Sequence, residues 1–433
     1  MIEIQGLDRV NTLHTIGQII TEYRPYRNAF VDTLINRVAM TLVTSKTWDN
    51  PWAVFKRGTM DLGESIEEVF VNIARPFSFN PDVAEKTIFR REFPDVRVTF
   101  HTMNYQKYYK VTVSQQQLRT AFLAWSGISN LVTRIVDALY TGMNYDEYVI
   151  MKYMLCRAVL NGGVGGIKVS DFTDNTNLGD LVSTVKGTSN LMEFLSPRYN
   201  AAGVMNASSK SEQYVFIDTM LDARIDVNVL ASAFNMDKVE FSGHRILIDG
   251  FDKHDTKRLA MLFENDDTYT PFTQNELSVL GGIGAIIGDR ELWMVFDNLQ
   301  EMEQINNGEG LYYNYWLHCW RTFSLSPFAN AAAFTKDTFS VTDVTIVNAD
   351  GTEIESMSLP KGGSAQFAAE VEGTGVYNNA VVWSITGANE SGTYIMGGTL
   401  RVATNETASS VTVRATSVAD PTEYGELSVT ITQ

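Results

Sequence analysis

Four aspartates are the first residues whose type and spacing could carry chemistry. Asp218, Asp222 and Asp226 have helical spacing, and Asp218 and Asp249 each end an apolar strand. Carboxylates at strand ends can bind a metal ion or act as general acid and base. The same residues are also typical of helix caps and solvated turns, and we favour this second interpretation. We therefore expect no metal site among them.

The histidines and cysteines form no recognisable catalytic or metal-binding motif. None of the five histidines belongs to an HExxH helix. His244 and His254 flank the apolar strand RILID and a hairpin could bring them together, but we expect ordinary surface histidines. His318 and Cys319 are neighbours, and neighbouring side chains of a strand point to opposite faces. Cys156 and Cys319 are the two cysteines, and we expect isolated buried thiols.

The glycine-rich stretch GGIGAIIG, residues 281–288, contains the spacing GxGxxxG. A dinucleotide or phosphate loop needs its glycines between a strand and a helix. Here a strand follows the glycines, and no GK[ST] is present. We expect no catalytic residue, no bound cofactor and no enzyme activity.

Composition excludes further classes of protein. The chain has 433 residues and a formal net charge of −17, which repels nucleic acid and anionic membranes. An acidic protein surface could still enclose DNA, because it would not bind the phosphates tightly. The N-terminus lacks a secretory signal, and no window approaches the roughly 20 apolar residues of a membrane-spanning helix. We expect a protein kept in a cytoplasm until it assembles, with no membrane partner.

The elements that position these residues begin with an arm, residues 1–50, followed by a strand-rich region, residues 51–113. Two segments of this region alternate apolar and polar residues, as strands with one apolar face do. These apolar residues are Val69, Val71 and Ile73 in one segment and Val96, Val98 and Phe100 in the other. YYKVTV continues the extended pattern to Val113. We predict a long projecting hairpin that packs against a neighbouring subunit, because strand edges invite pairing unless covered.

From residue 114 the apolar period changes to three or four residues, which predicts a helix. The apolar stripe consists of Leu118, Phe122, Trp125, Ile128, Val132, Ile135 and Leu139. Ser114 with Gln117 has the pattern of a capping box, and Asn144 with Glu147 repeats it. The pair Gly162–Gly163 provides a stop. We predict one long helix or two nearly continuous ones.

The next region has a mixed pattern. The high content of Gly, Ser, Thr and Asn predicts irregular structure for residues 163–213. Beyond them we predict strands at YVFID and RILID, a helix at VNVLASAF, and a hairpin of AIIG and ELWMVF joined through Asp289–Arg290. LYYNYWLHCWRTFSLS predicts a buried aromatic-rich strand. A composition shift places a domain boundary between residues 335 and 342.

The remaining residues alternate in short strands separated by turn residues, which predicts a β-sandwich. The predicted core of the sandwich contains Phe367, Trp383, Val411, Val413 and Val429, with Trp383 filling the space between two small sheets. This tail resembles the group-2 bacterial immunoglobulin-like (BIG2) module. The segments that carry the resemblance are LPKGGSAQFAAEV, AVVWSITG, GGTLRVA, SSVTVRATS and ELSVTIT.

The order of these pieces resembles a tailed-bacteriophage major capsid protein with the HK97-like fold, and is most similar to the phi29-type podoviruses. The resemblance is carried by segments such as FKRGTMDLGESIEEVF, EKTIFRREFPDVRVTFH, ELWMVFDNL and GLYYNYWLHCWRTFSLSPFANAAAF. It implies an α+β capsid fold followed by an all-β immunoglobulin-like sandwich. The implied parts are an N-terminal arm (1–50), an extended loop (51–113), a peripheral domain with a spine helix (114–169), an axial domain (170–310), a return strand (311–338) and an immunoglobulin-like domain (339–433).

The resemblance also implies a function. The chain would assemble, in the host bacterial cytoplasm, into the icosahedral or prolate shell of a virion that encloses packaged double-stranded DNA, with the immunoglobulin-like domain displayed on the shell. Its implied partners are copies of itself in hexamers and pentamers, scaffolding and portal proteins, and DNA only non-specifically. The alternative is a bacterial surface adhesin or an enzyme with an immunoglobulin-like accessory domain. The absent signal peptide and sortase motif count against it.

Charged residues of the extended loop are the candidates for contacts between subunits. They are Lys56, Arg57, Asp61, Glu64, Glu67, Glu68, Arg90, Arg91 and Glu92. The other interpretation of these residues is a solvated strand face, since exposed ion pairs contribute little singly.

Overall fold

The structure is a computed structural model with an α+β fold in which strands predominate. It describes residues 48–432 except residues 62, 75, 77–93, 115–124, 228–243, 265, 267, 349–350 and 355. In the described part, the helices are α1 (Trp125–Leu160), α2 (Leu178–Leu191), α3 (Thr219–Ile225), α4 (Thr256–Leu262) and α5 (Gln274–Gly281). None of the helices in these ranges is both long and apolar enough to cross a membrane.

The strands before the C-terminal region form three sheets. They are β1 (Lys56–Thr59), β2 (Ile66–Val71), β3 (Val96–His101), β4 (Tyr105–Ser114), β5 (Gly165–Lys168), β6 (Gln213–Asp218), β7 (Arg245–Ile248), β8 (Ile283–Asp289), β9 (Trp293–Asn307), β10 (Tyr312–Leu325) and β11 (Ala331–Thr335). The sheet orders are β1-β9-β10-β4, β5-β11-β8-β6-β7 and β2-β3.

The C-terminal strands form two four-stranded sheets, and together we call these sheets the C-terminal sandwich. The strands are β12 (Ser340–Asn348), β13 (Met357–Pro360), β14 (Ser364–Thr374), β15 (Val381–Thr386), β16 (Tyr394–Met396), β17 (Thr399–Arg401), β18 (Ser410–Ser417) and β19 (Tyr424–Thr432). Their orders are β12-β14-β17-β16 and β13-β19-β18-β15.

The described residues divide into two compact units, each made of several chain segments. The first comprises the described residues up to Ser65, together with Thr102–Met151 and Val295–Phe323. The second comprises Ile66–His101, Lys152–Met294 and Ser324–Gln433. The sheet β1-β9-β10-β4 lies mainly in the first unit, whereas the five-stranded sheet, the β2-β3 pair and the C-terminal sandwich belong to the second.

The aromatic-rich strand predicted from the sequence is β10, and one of its faces is buried. Its buried residues alternate along the strand and include Tyr313, Tyr315, Leu317 and Cys319. The alternate residues, such as His318, are half-buried. The adjacent His318 and Cys319 therefore lie on opposite faces, as expected from the period of a strand. Both cysteines are free and buried, which confirms the prediction of isolated thiols.

The long helix α1 is continuous, which confirms the first of the two predicted alternatives, and no second helix begins at Asn144. Asn144 and Glu147 lie inside α1, where the Asn144 amide donates to the carbonyl oxygen of Trp48 at 3.0 Å. Ser114 is the last residue of β4, and residues 115–124, where the first predicted helix start would continue, lie outside the described residues. A capping pattern is local, whereas Asn144 and Glu147 find tertiary partners instead. The predicted stop is confirmed, because α1 ends at Leu160 and Gly162 adopts φ +73°.

Two further predictions fail in the second unit. Residues 163–213 are not irregular throughout, since they contain β5 and the 14-residue helix α2. The apolar residues of α2 that face the core, Leu178, Leu181 and Val185, are buried, and this packing outweighs the weak helix propensity of its Gly, Ser and Thr. The segments AIIG and ELWMVF form no hairpin: β8 pairs with β6 and β11, whereas β9 pairs with β1 and β10. A short 3₁₀ turn capped by Asp289 separates them.

The strands predicted at YVFID and RILID are confirmed as β6 and β7, which pair in parallel. The helix predicted at VNVLASAF lies, except for its first residue Val227, outside the described residues. His244 and His254 are half-buried, so the expectation of surface histidines is wrong. The ring of His254 packs against Phe272 with centroids 4.3 Å apart. Burial, together with the nearby Lys152 ammonium, lowers the pKa of His254 to about 4.

The two sheets of the C-terminal sandwich enclose an apolar core. Phe367, Val411, Val413 and Val429 are buried in it. Trp383 is half-buried and packs at the edge of this core, stacked on Phe367 with ring centroids 6.4 Å apart. The strand β11 ends at Thr335 and β12 begins at Ser340, so a four-residue connection leads into the sandwich.

Candidate assembly surface

Strands β2 and β3 form a two-stranded hairpin with two different faces. They pair antiparallel from Ile66 opposite His101 to Val71 opposite Val96. Since successive side chains of a strand point to opposite sides, alternate residues share a face. The burial of the strands alternates accordingly. We call the half-buried side the inner face and the exposed side the outer face.

Polar and aromatic contacts within the second unit hold the inner face. His101, 2% exposed, contacts Glu68 through Nε2 at 3.0 Å and Ser324 Oγ through Nδ1 at 2.7 Å. The hydroxyl of Ser326 donates to the other oxygen of Glu68 at 2.8 Å. Phe70 stacks on Phe328 with ring centroids 5.6 Å apart. The hairpin is thus anchored to the end of β10 and to the residues that follow it.

The outer face is apolar and uncovered. Its apolar side chains, together with the adjacent Ile73, are between 42% and 64% exposed. They are Val69, Val71, Ile73, Val96, Val98 and Phe100. The predicted sharing of one face is confirmed for the paired residues, because Val69 lies opposite Val98 and Val71 opposite Val96. An exposed apolar patch of this kind is typical of a protein–protein contact site.

The structure places the charged candidates of the extended loop in three situations. Lys56 and Glu68 are half-buried and bind partners of their own chain. The exposed members are Arg57, Asp61, Glu64 and Glu67. Arg90, Arg91 and Glu92 lie outside the described residues. The exposed members and these last three are the residues that stay candidates for contacts with a second subunit.

Lys56 belongs to a cluster of four charged side chains in the first unit. Its ammonium group lies 2.5 Å from Asp297 and 3.3 Å from Glu147. Arg321 pairs with both carboxylates, through Nη1 with Glu147 and through Nε with Asp297 at 2.7 Å. The amide of Asn50 donates to the second oxygen of Glu147 at 2.7 Å. The cluster joins β1, α1, β9 and β10.

Electrostatics favour the charged form of Arg321 in this cluster. Burial alone would lower the pKa of Arg321, but Glu147, Cys319 and Asp297 outweigh burial and raise it. Two cations and two anions balance one another, which offsets the cost of removing them from water. The sequence analysis missed this cluster. The available signal was Arg321, the one arginine within an aromatic-rich strand.

The aspartates act as caps and ion-pair partners. Asp218 accepts hydrogen bonds from the backbone N–H of Met220 at 2.8 Å and of Leu221 at 3.0 Å, which confirms the capping interpretation. Asp222 pairs with Arg245 at 2.5 Å, and burial raises the pKa of Asp222. Across the ranges that the structure describes, no three His, Cys, Asp or Glu side chains are grouped so as to hold a metal ion.

Comparison with known families matches residues 8–335 to the model of the phi29-like phage major capsid proteins. The chain belongs to this family. The major capsid protein of Bacillus phage B103 is 33% identical over 408 residues, which cover 93% of this chain and 83% of that protein. The corresponding protein of Bacillus phage PZA is 32% identical over 406 residues, with the same coverage. These alignments cover more than 335 residues of the chain, so the similarity to both relatives extends beyond β11.

Solved structures support the fold of this capsid protein. The capsid structure of Staphylococcus phage Andhra has a TM-score of 0.53, with 17% identity over 68% of this chain and 86% of that chain. A structure from bacteriophage P68 gives a TM-score of 0.53 with 16% identity. The α+β fold of the chain is therefore one that solved phage capsid proteins share.

Membership of this family decides between the two functions that the sequence left open. The chain is a major capsid protein of a tailed phage, a structural protein of the capsid that assembles with copies of itself, and not an enzyme. The capsid protein's functional surface is consequently a contact surface between subunits. The outer face of the β2–β3 hairpin is the strongest candidate on geometric grounds.

Proposed function

We propose that this capsid protein forms a closed icosahedral or prolate shell of HK97-like subunits around packaged double-stranded DNA. In this proposal residues 51–113 are the extended loop, 114–169 the peripheral domain with α1 as spine helix, 170–310 the axial domain, and 311–338 the return strand. The observation that carries the proposal is the uncovered apolar outer face of the hairpin. A face of six exposed apolar side chains favours contact with a second copy, because its burial removes apolar surface from water.

Assembly through this face fits the energetics of shells. A contact between different surfaces of identical subunits closes into rings, here proposed as hexamers and pentamers. Each contact can be modest in area, because many contacts act together when the shell closes. Among the charged candidates, Glu67 lies in β2 and is exposed, so it would help to set which partner residues the hairpin meets.

Further partners belong to the same proposal. Scaffolding and portal proteins would assist assembly in the cytoplasm of the host bacterium. DNA would be enclosed without specific contacts, because the net charge of −17 opposes tight binding to phosphates. The C-terminal sandwich, an immunoglobulin-like domain of the group-2 type in this proposal, would be displayed on the shell. Eleven acidic and three basic residues between positions 341 and 433 would keep particles dispersed there.

The test is electron microscopy of the full-length protein, expressed with and without the products of neighbouring phage genes. We expect closed shells of uniform size in at least one of these conditions. Monomers or small oligomers in both conditions would contradict the proposal while leaving the fold unaffected.

A further inference from the structure

A glycine-rich segment of the second unit lies directly against one loop of the C-terminal sandwich. The segment is Gly162–Gly166, and the loop, residues 376–379, connects β14 with β15. A Cβ atom on Gly166 would overlap the backbone carbonyl of Val376. A Cβ on Gly165 would lie 2.7 Å from Cγ of Asn378. The loop therefore approaches the segment so closely that only glycine, which has no Cβ atom, fits at positions 165 and 166.

Other contacts fix this loop in place. Val376 is 3% exposed, and the Asn378 amide donates to the carbonyl oxygen of Arg198 at 2.6 Å. Gly165 and Gly166 lie in β5, which pairs in parallel with β11 in the five-stranded sheet. Consequently this side of the sandwich is attached to a rigid sheet of its own subunit.

A second loop of the sandwich contacts the hairpin at the end where its strand pairing stops. We call this the distal end and define it as Asn72, Asp95 and Arg97. The guanidinium of Arg97 donates to the carbonyl oxygen of Gly397, in the loop between β16 and β17. Arg97 also pairs with Asp95 at 3.3 Å. A Cβ on Gly397 would lie 3.0 Å from Asp95 Oδ2, so here too the contact is close.

The distal end is also tied to the rest of the second unit. Asn72, 6% exposed, donates to Asp95 at 3.2 Å and accepts from the backbone N–H of Met205 at 3.3 Å. The inner-face anchor at Glu68 and His101 lies at the opposite end of the strand pairing. The sandwich thus holds the end of the hairpin from which the connection to Arg90 and Arg91 departs.

We propose that the C-terminal sandwich positions the distal end of the hairpin and in this way takes part in shell assembly, rather than being only displayed. A two-stranded hairpin is marginally stable by itself and needs packing to hold one orientation. The sandwich contacts the five-stranded sheet through Val376 and the hairpin through Gly397. These two contacts link the orientation of the hairpin to the five-stranded sheet. The assembly role rests on the proposed function, in which the hairpin contacts a neighbouring subunit.

Two variants of the full chain test this proposal, each with a matched control. Arg97→Ala removes the contact with Gly397, and its control Arg414→Ala removes an exposed pair with Glu426 inside the sandwich. Gly166→Ala forces the loop at Val376 away, and its control Gly179→Ala adds a Cβ in α2 with no atom within 4 Å. The measurements are amide hydrogen exchange of unassembled subunits and the yield of closed shells.

We expect both test variants to raise amide exchange in β2 and β3 on the order of ten-fold, because the hairpin opens locally more often. Exchange in β6, β8, β18 and β19 should not change, and shell yield should fall. Both controls should behave as the wild type. If Gly166→Ala also raises amide exchange in β6 and β8, this variant has damaged the five-stranded sheet itself. The positioning role is then tested by Arg97→Ala alone.

Three outcomes are distinguishable. Unchanged exchange in β2 and β3 for Arg97→Ala would overturn the positioning role. Increased exchange with normal shell yield would overturn its part in assembly. Failure of the wild type to form any shell would instead contradict the proposed function, and the exchange measurement would still decide whether the sandwich holds the hairpin.

Discussion

Arg321 on β10 and Glu147 on α1 form an ion pair in which each side chain is only 2% exposed. Their charges are balanced by Lys56 and Asp297, which pair with each other at 2.5 Å. Removing one member of such a cluster leaves an uncompensated buried charge, whereas removing an oppositely charged couple leaves the remaining pair neutral. The cluster therefore makes a specific prediction about double variants.

We expect Glu147→Leu alone to lower the free energy of unfolding by about 3 kcal/mol or more. The double variant Glu147→Leu with Arg321→Met should lose less than the sum of the two single losses, because Lys56 and Asp297 stay paired. Denaturant unfolding of unassembled subunits measures each value. The exposed pair Arg414–Glu426 is the control, for which we expect a loss of at most about 1 kcal/mol. Additive losses at the buried pair would contradict the argument.

The outer face of the hairpin predicts an effect on assembly without an effect on folding. Val98→Asp should reduce shell yield by about ten-fold or more, since a carboxylate buried in an apolar contact costs several kcal/mol. Val382→Asp is the matched control, because Val382 is 45% exposed and Val98 is 46% exposed, both on strands. Electron microscopy counts shells, and circular dichroism checks the fold. Equal yields for both variants would exclude the outer face as a contact.

The adjacent arginines of the extended loop allow a second assembly test. We expect Arg90→Glu combined with Arg91→Glu to leave the subunit folded but to block shell formation, because charges that pair between neighbours would now repel. Sedimentation separates shells from subunits. The control is Glu64→Arg, a charge reversal at an exposed residue of the same loop. It shows whether any charge change in the loop blocks shell formation. Normal shells from the double arginine variant would contradict a role for these two residues.

Acid stability should depend on Glu406, a carboxylate with no exposed surface in the C-terminal sandwich. It accepts hydrogen bonds from the hydroxyl of Thr393 at 2.5 Å and from the backbone N–H of Ala408 at 2.9 Å and of Asn389 at 3.1 Å. Burial alone would raise the pKa of Glu406, but these hydrogen bonds outweigh burial and lower the pKa from 4.5 to about 2.

Because the pKa is lower in the folded state, the stabilisation by Glu406 is complete above about pH 4.5 and is lost as the pH falls towards 2. Glu406→Gln should cost about 1–3 kcal/mol at pH 7, since hydrogen bonds to a charged acceptor are lost. In scanning calorimetry of unassembled subunits, the difference in Tm between wild type and variant should shrink from pH 7 to pH 3. Glu426→Gln, on an exposed residue, is the control. A difference independent of pH would contradict the role of the ionised carboxylate.

The parts of the fold that follow from local periodicity were predictable. The alternation around Val69 and Val98 predicted two strands with one apolar face, and the alternation after residue 340 predicted a sandwich. The stop of α1 at Gly162 was also predictable, because a glycine can adopt positive φ. In each case the signal comes from residues near one another in the sequence.

Other features depend on partners that are distant in sequence. Nothing local in ELWMVF indicates that β9 pairs with β1 and β10 and not with β8. Glu147 has the pattern of a helix start, yet it pairs with Arg321, 174 residues further along the chain. The glycine-rich composition of residues 162–166 is typical of an irregular loop, but in the structure these glycines leave space for the loop at Val376.

The sequence by itself determined the strand and helix periods, the acidic character of the chain and, by resemblance, its relation to phage capsid proteins. The tertiary structure alone decided which strands share a sheet, which charges are buried together and which apolar face stays uncovered. The physical reason is that side-chain period is a property of a few consecutive residues. Pairing, ion clusters and exposed surfaces arise only when segments far apart in the chain meet.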